Sequence, residues 1–89
     1  MLYVRYSASS GVVEKEGTVI EVDTRGISWI KTDPPHMMEQ LFFAQEEFNG
    51  NWALLRIGEK VKFLHRPGNR QIREVTIKES YKSVGVTFA

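Results

Sequence analysis

Trp29, Phe42 and Trp52 are the side chains whose type and placement offer chemistry, and that chemistry is stacking against flat π-systems. Trp29 lies in Arg25-Gly26-Ile27-Ser28-Trp29-Ile30 and Phe42 in Leu41-Phe42-Phe43-Ala44-Gln45. Both segments read as short strands, whose side chains alternate between two faces. Ile27 and Trp29 then share one face, with Ser28 and Ile30 behind them. Phe42 and Ala44 share a face, with Leu41, Phe43 and Gln45 opposite. A small sheet that turns such rings outward has a surface on which unpaired bases can stack. Trp52 sits in a turn-rich stretch, where its indole either joins that surface or folds back as a cap on the interior.

Cations near these rings are the second ingredient. Lys31 and Arg25 flank Trp29, either as phosphate contacts or as ordinary strand-end charge. From Arg56 to Arg73 six cations (Arg56, Lys60, Lys62, Arg66, Arg70, Arg73) face only Glu59, whereas residues 14–23 hold four acids against Lys15. Arg70 and Arg73 become contacts if the turn that carries them overhangs the aromatic face. The overall charge is +1, so any attraction for phosphate depends on local placement rather than on the sum.

Other chemistries find little support. His36 and His65 stand apart, and with no cysteine in the chain they lack partners at ligand spacing, so no metal site is expected and both histidines read as surface residues. Glu46-Glu47 makes a poor carboxylate dyad, since neighbours in a loop seldom converge on one bond. Nucleophile elbows, phosphate-cradling glycine loops and chelating carboxylate series are missing. The expectation is a protein that is not an enzyme, with no catalytic residue, no cofactor and no small-molecule substrate. No apolar run approaches the roughly 20 residues of a membrane span, and the expectation is an intracellular, cytoplasmic chain, with the nucleus not excluded.

Eighty-nine residues suit one domain, because single cores occupy roughly 50 to 200. Residues 1–89 form that domain, with a core at 17–79 and terminal extensions at 1–16 and 80–89. Turn residues punctuate the chain at short intervals, and the β-rich runs between them are 2–6, 12–22, 26–32, 39–45, 59–66 and 71–79, with a last strand at 84–88. That spacing signals an all-β protein. Arg66-Pro67-Gly68-Asn69-Arg70 makes 59–79 a hairpin, with Pro presetting φ and Gly or Asn accepting positive φ. The segment 46–58 is too long for a tight hairpin and too short for a crossover helix. Glu46-Glu47-Phe48 fits one helical turn, with Phe48 plugging the barrel end. Such a link after the third strand suits a small five-stranded OB-type Greek-key barrel with an additional N-terminal strand.

Residues 17–77 resemble a cold-shock domain, an OB-fold that binds single-stranded RNA or DNA. Gly17-Thr18-Val19 opens the first strand as in that family. Arg25-Gly26-Ile27-Ser28-Trp29-Ile30 stands in place of Lys-Gly-Phe-Gly-Phe-Ile, and Leu41-Phe42-Phe43-Ala44-Gln45 in place of Val-Phe-Val-His-Phe. Leu55, Gly58, Val61 and Phe63 follow the family's pattern through the fourth strand, and Val75 stands where the fifth buries a valine. The departures fall on the binding face. Glu21 replaces a tryptophan, Ile27 a phenylalanine, Ala44 a histidine and Gln45 a phenylalanine, so about half of the platform is lost.

The resemblance implies a module that stacks single-stranded RNA, or single-stranded DNA, on Trp29, Phe42, Trp52 and Ile27 and holds its backbone with Lys31, Arg25, Arg70 and Arg73. Selectivity is expected to be low. The eroded face and Glu21 support an alternative, in which a degenerate cold-shock-like domain contacts a protein partner or a neighbouring domain, with residues 1–16 supplying a strand. A third reading is an SH3-like or Tudor-like barrel with Glu21, Asp23, Trp29 and Phe42 as an aromatic cage.

Overall fold

The computed structural model describes residues 11–78, and these are all-β, with no α-helix. Five strands, β1 (Val13–Asp23), β2 (Ile27–Thr32), β3 (Gln40–Ala44), β4 (Lys60–His65) and β5 (Arg73–Ile77), form one sheet in the order β3-β2-β1-β4-β5. Every neighbouring pair is antiparallel. The leading strand expected at 2–6 and the closing one at 84–88 lie outside the described residues. No helix among those described is long and apolar enough to cross a membrane.

The sheet curls because β1 serves two partners in succession. Val13 to Thr18 pair with β4, and Gly17 to Asp23 pair with β2. Midway, Ile20 has no partner on β2: Val19 faces Ile30 and Glu21 faces Trp29, a bulge that bends the strand. The far edges then approach each other. The Phe42 N–H donates to the Arg70 carbonyl at 2.9 Å, and the Ile72 N–H donates to the Phe42 carbonyl at 2.8 Å. A second parallel bridge joins Phe48 to Val75. These bonds satisfy backbone groups that an open sheet edge would leave to water.

The alternation read from the sequence decides what goes inside. Ser28 and Ile30 are fully buried on β2, as are Leu41 and Phe43 on β3, and Val61 and Phe63 on β4. Val19, Leu55, Ile72 and Val75 complete the core with Phe48. The helical turn expected at 46–48 is a 3-10 turn one position earlier, Gln45–Glu47, and Phe48 follows it, buried where the chain leaves β3. Entering β5 the period of two fails, since Ile72, just before the strand, and Val75 within it are both buried three positions apart. The cause is a second bulge. Leu64 pairs with Arg73 and Lys62 with Thr76, leaving an extra residue on β5, where Glu74 adopts φ of 51°.

His65 corrects the expectation of a surface histidine, being only 1% exposed. It continues the inward row of Val61 and Phe63, and the same alternation predicts that position. Its Nε2 lies 2.9 Å from the Asn69 carbonyl, which can only accept, so Nε2 carries the proton. The imidazole thereby holds the β4–β5 turn, whose Asn69 N–H also bonds the Arg66 carbonyl at 3.0 Å.

Candidate nucleic-acid interface

Trp29 and Phe42 are register partners across β2 and β3. Side chains so paired project from the same face, and their ring centroids lie 5.1 Å apart with planes tilted by 45°. Both rings are half-buried. Ile27 and Ala44 form the next pair on that face, and Lys31 and Gln40 flank the rings on the other side. The face therefore carries an apolar strip with a cation at one end.

Arg70 comes to this face from the opposite edge. The bond from Phe42 N–H to the Arg70 carbonyl anchors the turn there, and the Arg70 Cζ stands 5.6 Å from the centre of the Trp29 ring. That distance is within cation–π range. No carboxylate pairs with Arg70 among the described residues. Glu21 lies on the other side of Trp29, as its register partner on β1, and is exposed. Across the sheet the order is thus Glu21, Trp29, Phe42 and the backbone that carries Arg70.

Other expected contacts are dispersed. Arg25 stands at the β1–β2 turn, its side chain 86% exposed, with its guanidinium 3.5 Å from Asp23. The Arg25 N–H donates to Asp23 Oδ1 at 2.6 Å, and this bond, helped by the guanidinium and opposed by desolvation, holds the Asp23 carboxyl below its ordinary range. Lys31 is exposed and lines an open hollow of about 620 Å³ with Thr18, Asp33, Met38 and Lys60. Arg73, at the start of β5, pairs with Leu64 of β4 and borders a separate groove containing Asn69 and Glu74.

Trp52 takes the second of its two expected positions. It begins the 3-10 turn Trp52–Leu54, which Asn51 caps by accepting a 3.0 Å bond from the Ala53 N–H. Its ring meets Phe43 edge-on at 5.9 Å and Phe48 at 6.0 Å. Both of those rings belong to the core, so the indole is half-buried against the interior and makes no ring contact with Trp29 or Phe42. The asparagine two residues before Ala53 is the sequence signal that locates this turn.

The cations of 56–73 do not line a single groove. Arg56 donates to the Ala53 carbonyl at 2.7 Å and closes the link after β3. The Lys60 ammonium bonds Thr18 Oγ1 at 2.8 Å and Asp33 Oδ2 at 3.1 Å. These two hold structure, while Arg70 is the member placed beside the rings. Sequence reasoning missed the Glu21–Trp29 pairing, because the bulge at Ile20 hides the register. Among the described residues no group of three or more His, Asp or Glu side chains is placed to hold a metal ion.

No protein-family model matches the chain, and no curated protein matches it.

Proposed function

We propose that this domain is a divergent OB-type barrel of the cold-shock kind that binds single-stranded nucleic acid, RNA ahead of DNA, and carries out no catalysis. The observation behind this reading is the Trp29–Phe42 pair, two rings 5.1 Å apart on one sheet face with the Arg70 guanidinium over the indole. Successive bases stack on such a pair, with Arg70 beside the base on Trp29 and Lys31 at the end of the strip for the sugar–phosphate chain. The parallel contact of β3 with residues 70–72 supports the Greek-key closure.

Magnitudes place this binding in the weak range. Stacking is worth roughly 1–3 kcal/mol per base, so two rings supply roughly 2–6 kcal/mol, or dissociation constants from tens of micromolar upward. Trp52 adds nothing to that sum while it packs on Phe43 and Phe48. Affinity falls as salt rises, because Arg70 and Lys31 displace counterions. The test is a titration of the Trp52→Phe variant, in which Trp29 is the remaining tryptophan, with mixed short RNA and DNA strands at low salt. Quenching supports the reading, and an unchanged spectrum ends it.

A second reading has its own observation. Leu54 and Ile57, on the link between β3 and β4, are 61% and 68% exposed. In this reading the domain docks a protein through that link. Chemical shifts that move there on addition of a protein partner, with Trp29 silent to oligonucleotides, would favour it.

A further inference from the structure

Stacking alone accepts any base, but the groups on either side of the Trp29 ring differ in what they accept. This inference rests on the proposed stacking of bases at Trp29. From the geometry we infer that the site selects guanine for the base on Trp29, with Glu21 and Arg70 reading its two edges.

Glu21 is the register partner of Trp29 on β1, so its side chain leaves the sheet on the same face. It is exposed and forms no ion pair or side-chain hydrogen bond among the described residues. Its backbone is fixed, because the buried Ser28 hydroxyl donates to the Glu21 carbonyl at 2.9 Å. A carboxylate there can only accept hydrogen bonds. Arg70 reaches the indole from the β3 side and can only donate. A base that takes the guanidinium's place over Trp29 therefore has an acceptor pair at one edge and, with Arg70 displaced toward β3, a donor fork at the other.

Guanine fits this polarity. Its Watson–Crick edge carries the N1–H and N2–H donors side by side, a match for a carboxylate in the way that a guanidinium fork is. Its Hoogsteen edge carries the O6 and N7 acceptors, the groups to which arginine binds in bidentate fashion. Uracil offers a single N–H flanked by two carbonyls, which Glu21 repels. Cytosine and adenine each offer Glu21 an amino group beside an unprotonated ring nitrogen. Phe42 provides the neighbouring stacking position, which favours a guanine held within a strand. The Glu21 carboxylate, unfavourable toward phosphate, thus acts on the base rather than the backbone.

The test uses four ribopentamers, uridine at every position except the centre, which is U, C, A or G. Each is titrated against the Trp52→Phe protein with and without Glu21→Gln, reading Trp29 fluorescence at low salt. The central guanosine should bind roughly tenfold tighter than uridine, in keeping with a bidentate contact. Glu21→Gln should reduce that ratio to within about twofold while leaving the uridine pentamer bound at least as well. Arg70→Lys should also lower the ratio, since an ammonium cannot engage O6 and N7 together. Pentamers that all bind alike, or a guanosine preference that survives Glu21→Gln, would overturn the inference and leave stacking intact. Failure of every pentamer to perturb Trp29 would remove both.

Discussion

The backbone of Gly17 passes so close to that of Lys31 that a Cβ at position 17 would lie 2.6 Å from the Lys31 carbonyl oxygen. It would also stand 2.9 Å from Ile30 Cδ1 and 3.1 Å from Phe63 Cε1. Residue 17 is where β1 pairs with both neighbours at once, Thr32 on β2 and Val61 on β4. Glycine is required there by space. Gly17→Ala forces β1 away from β2, and overpacking of this kind costs about 1–3 kcal/mol. Urea denaturation measures it, and a midpoint equal to wild type would refute the close approach.

Trp29→Ala should weaken binding of a short single strand by the worth of one stacked base, roughly 1–3 kcal/mol, and Phe42→Ala by a similar amount. Trp52→Phe should leave affinity as it was, because that indole packs on Phe43 and Phe48. Isothermal titration at low salt distinguishes the three. A large loss for Trp52→Phe with none for Trp29→Ala would relocate the interface.

Much of this face was legible because strands have a period of two, and the pairing of β2 with β3, which carries Trp29 and Phe42, has no bulge. The same rule places His65 inside, where its polar ring had argued for the surface. What alternation does not reveal is a bulge. Ile20 and Glu74 look like ordinary strand residues, yet each offsets the register, which is why Glu21 opposite Trp29 and the joint burial of Ile72 and Val75 were hidden. Trp52 was ambiguous for a different reason. Its position depends on long-range contact with Phe43 and Phe48, to which local spacing is blind.

Thr32, at the end of β2, is 2% exposed and uses its hydroxyl twice. It donates to the Met37 carbonyl at 2.7 Å and accepts from the Glu39 N–H at 2.7 Å, tying the β2–β3 loop to the sheet. Thr32→Val keeps the shape and removes both bonds, whose partners belong to the exposed Met37 and Glu39, a loss of about 0.5–1.5 kcal/mol for each. Differential scanning calorimetry should show a lower melting temperature, and amide exchange at Glu39 should quicken. An unchanged Glu39 amide would contradict this bond.

Glu74 occupies the left-handed region at φ of 51°, which costs a residue with a Cβ about 1–2 kcal/mol. Glu74→Gly relieves that cost but frees the unfolded chain, so the expected net gain is about 0.5–1 kcal/mol. The Glu74 N–H, which donates to Glu47 Oε1 at 3.2 Å, is retained in the variant. A chemical melt in which Glu74→Gly is the weaker protein would show that the bulge is unstrained.

Asp23 ties the protein to pH. Its carboxyl is held below the ordinary value of 3.8, first by the Arg25 N–H and then by the Arg25 side chain. A depressed carboxyl contributes stability in full above its unfolded value and loses it as pH falls through the folded one. Asp23→Asn lacks this dependence. The advantage of wild type over the variant in thermal midpoint should therefore shrink as pH falls from about 6 to about 3. A difference that stays constant across that range would remove Asp23 from the acid response.

Ile20 sits at the position where β1 slips one step against β2, so that Val19 faces Ile30 and Glu21, rather than Ile20, faces Trp29. The strand consequently holds one extra residue at this spot without turning the side chains beyond it. Excising Ile20 would straighten the strand yet leave Glu21 opposite Trp29 and Val22 opposite Ser28, whereas a further residue added there would rotate the remainder of β1 to its other side, driving a carboxylate toward the interior and expelling Val22 into solvent. Insertions belong instead in the 33–38 and 49–58 connections, where no alternation has to be preserved.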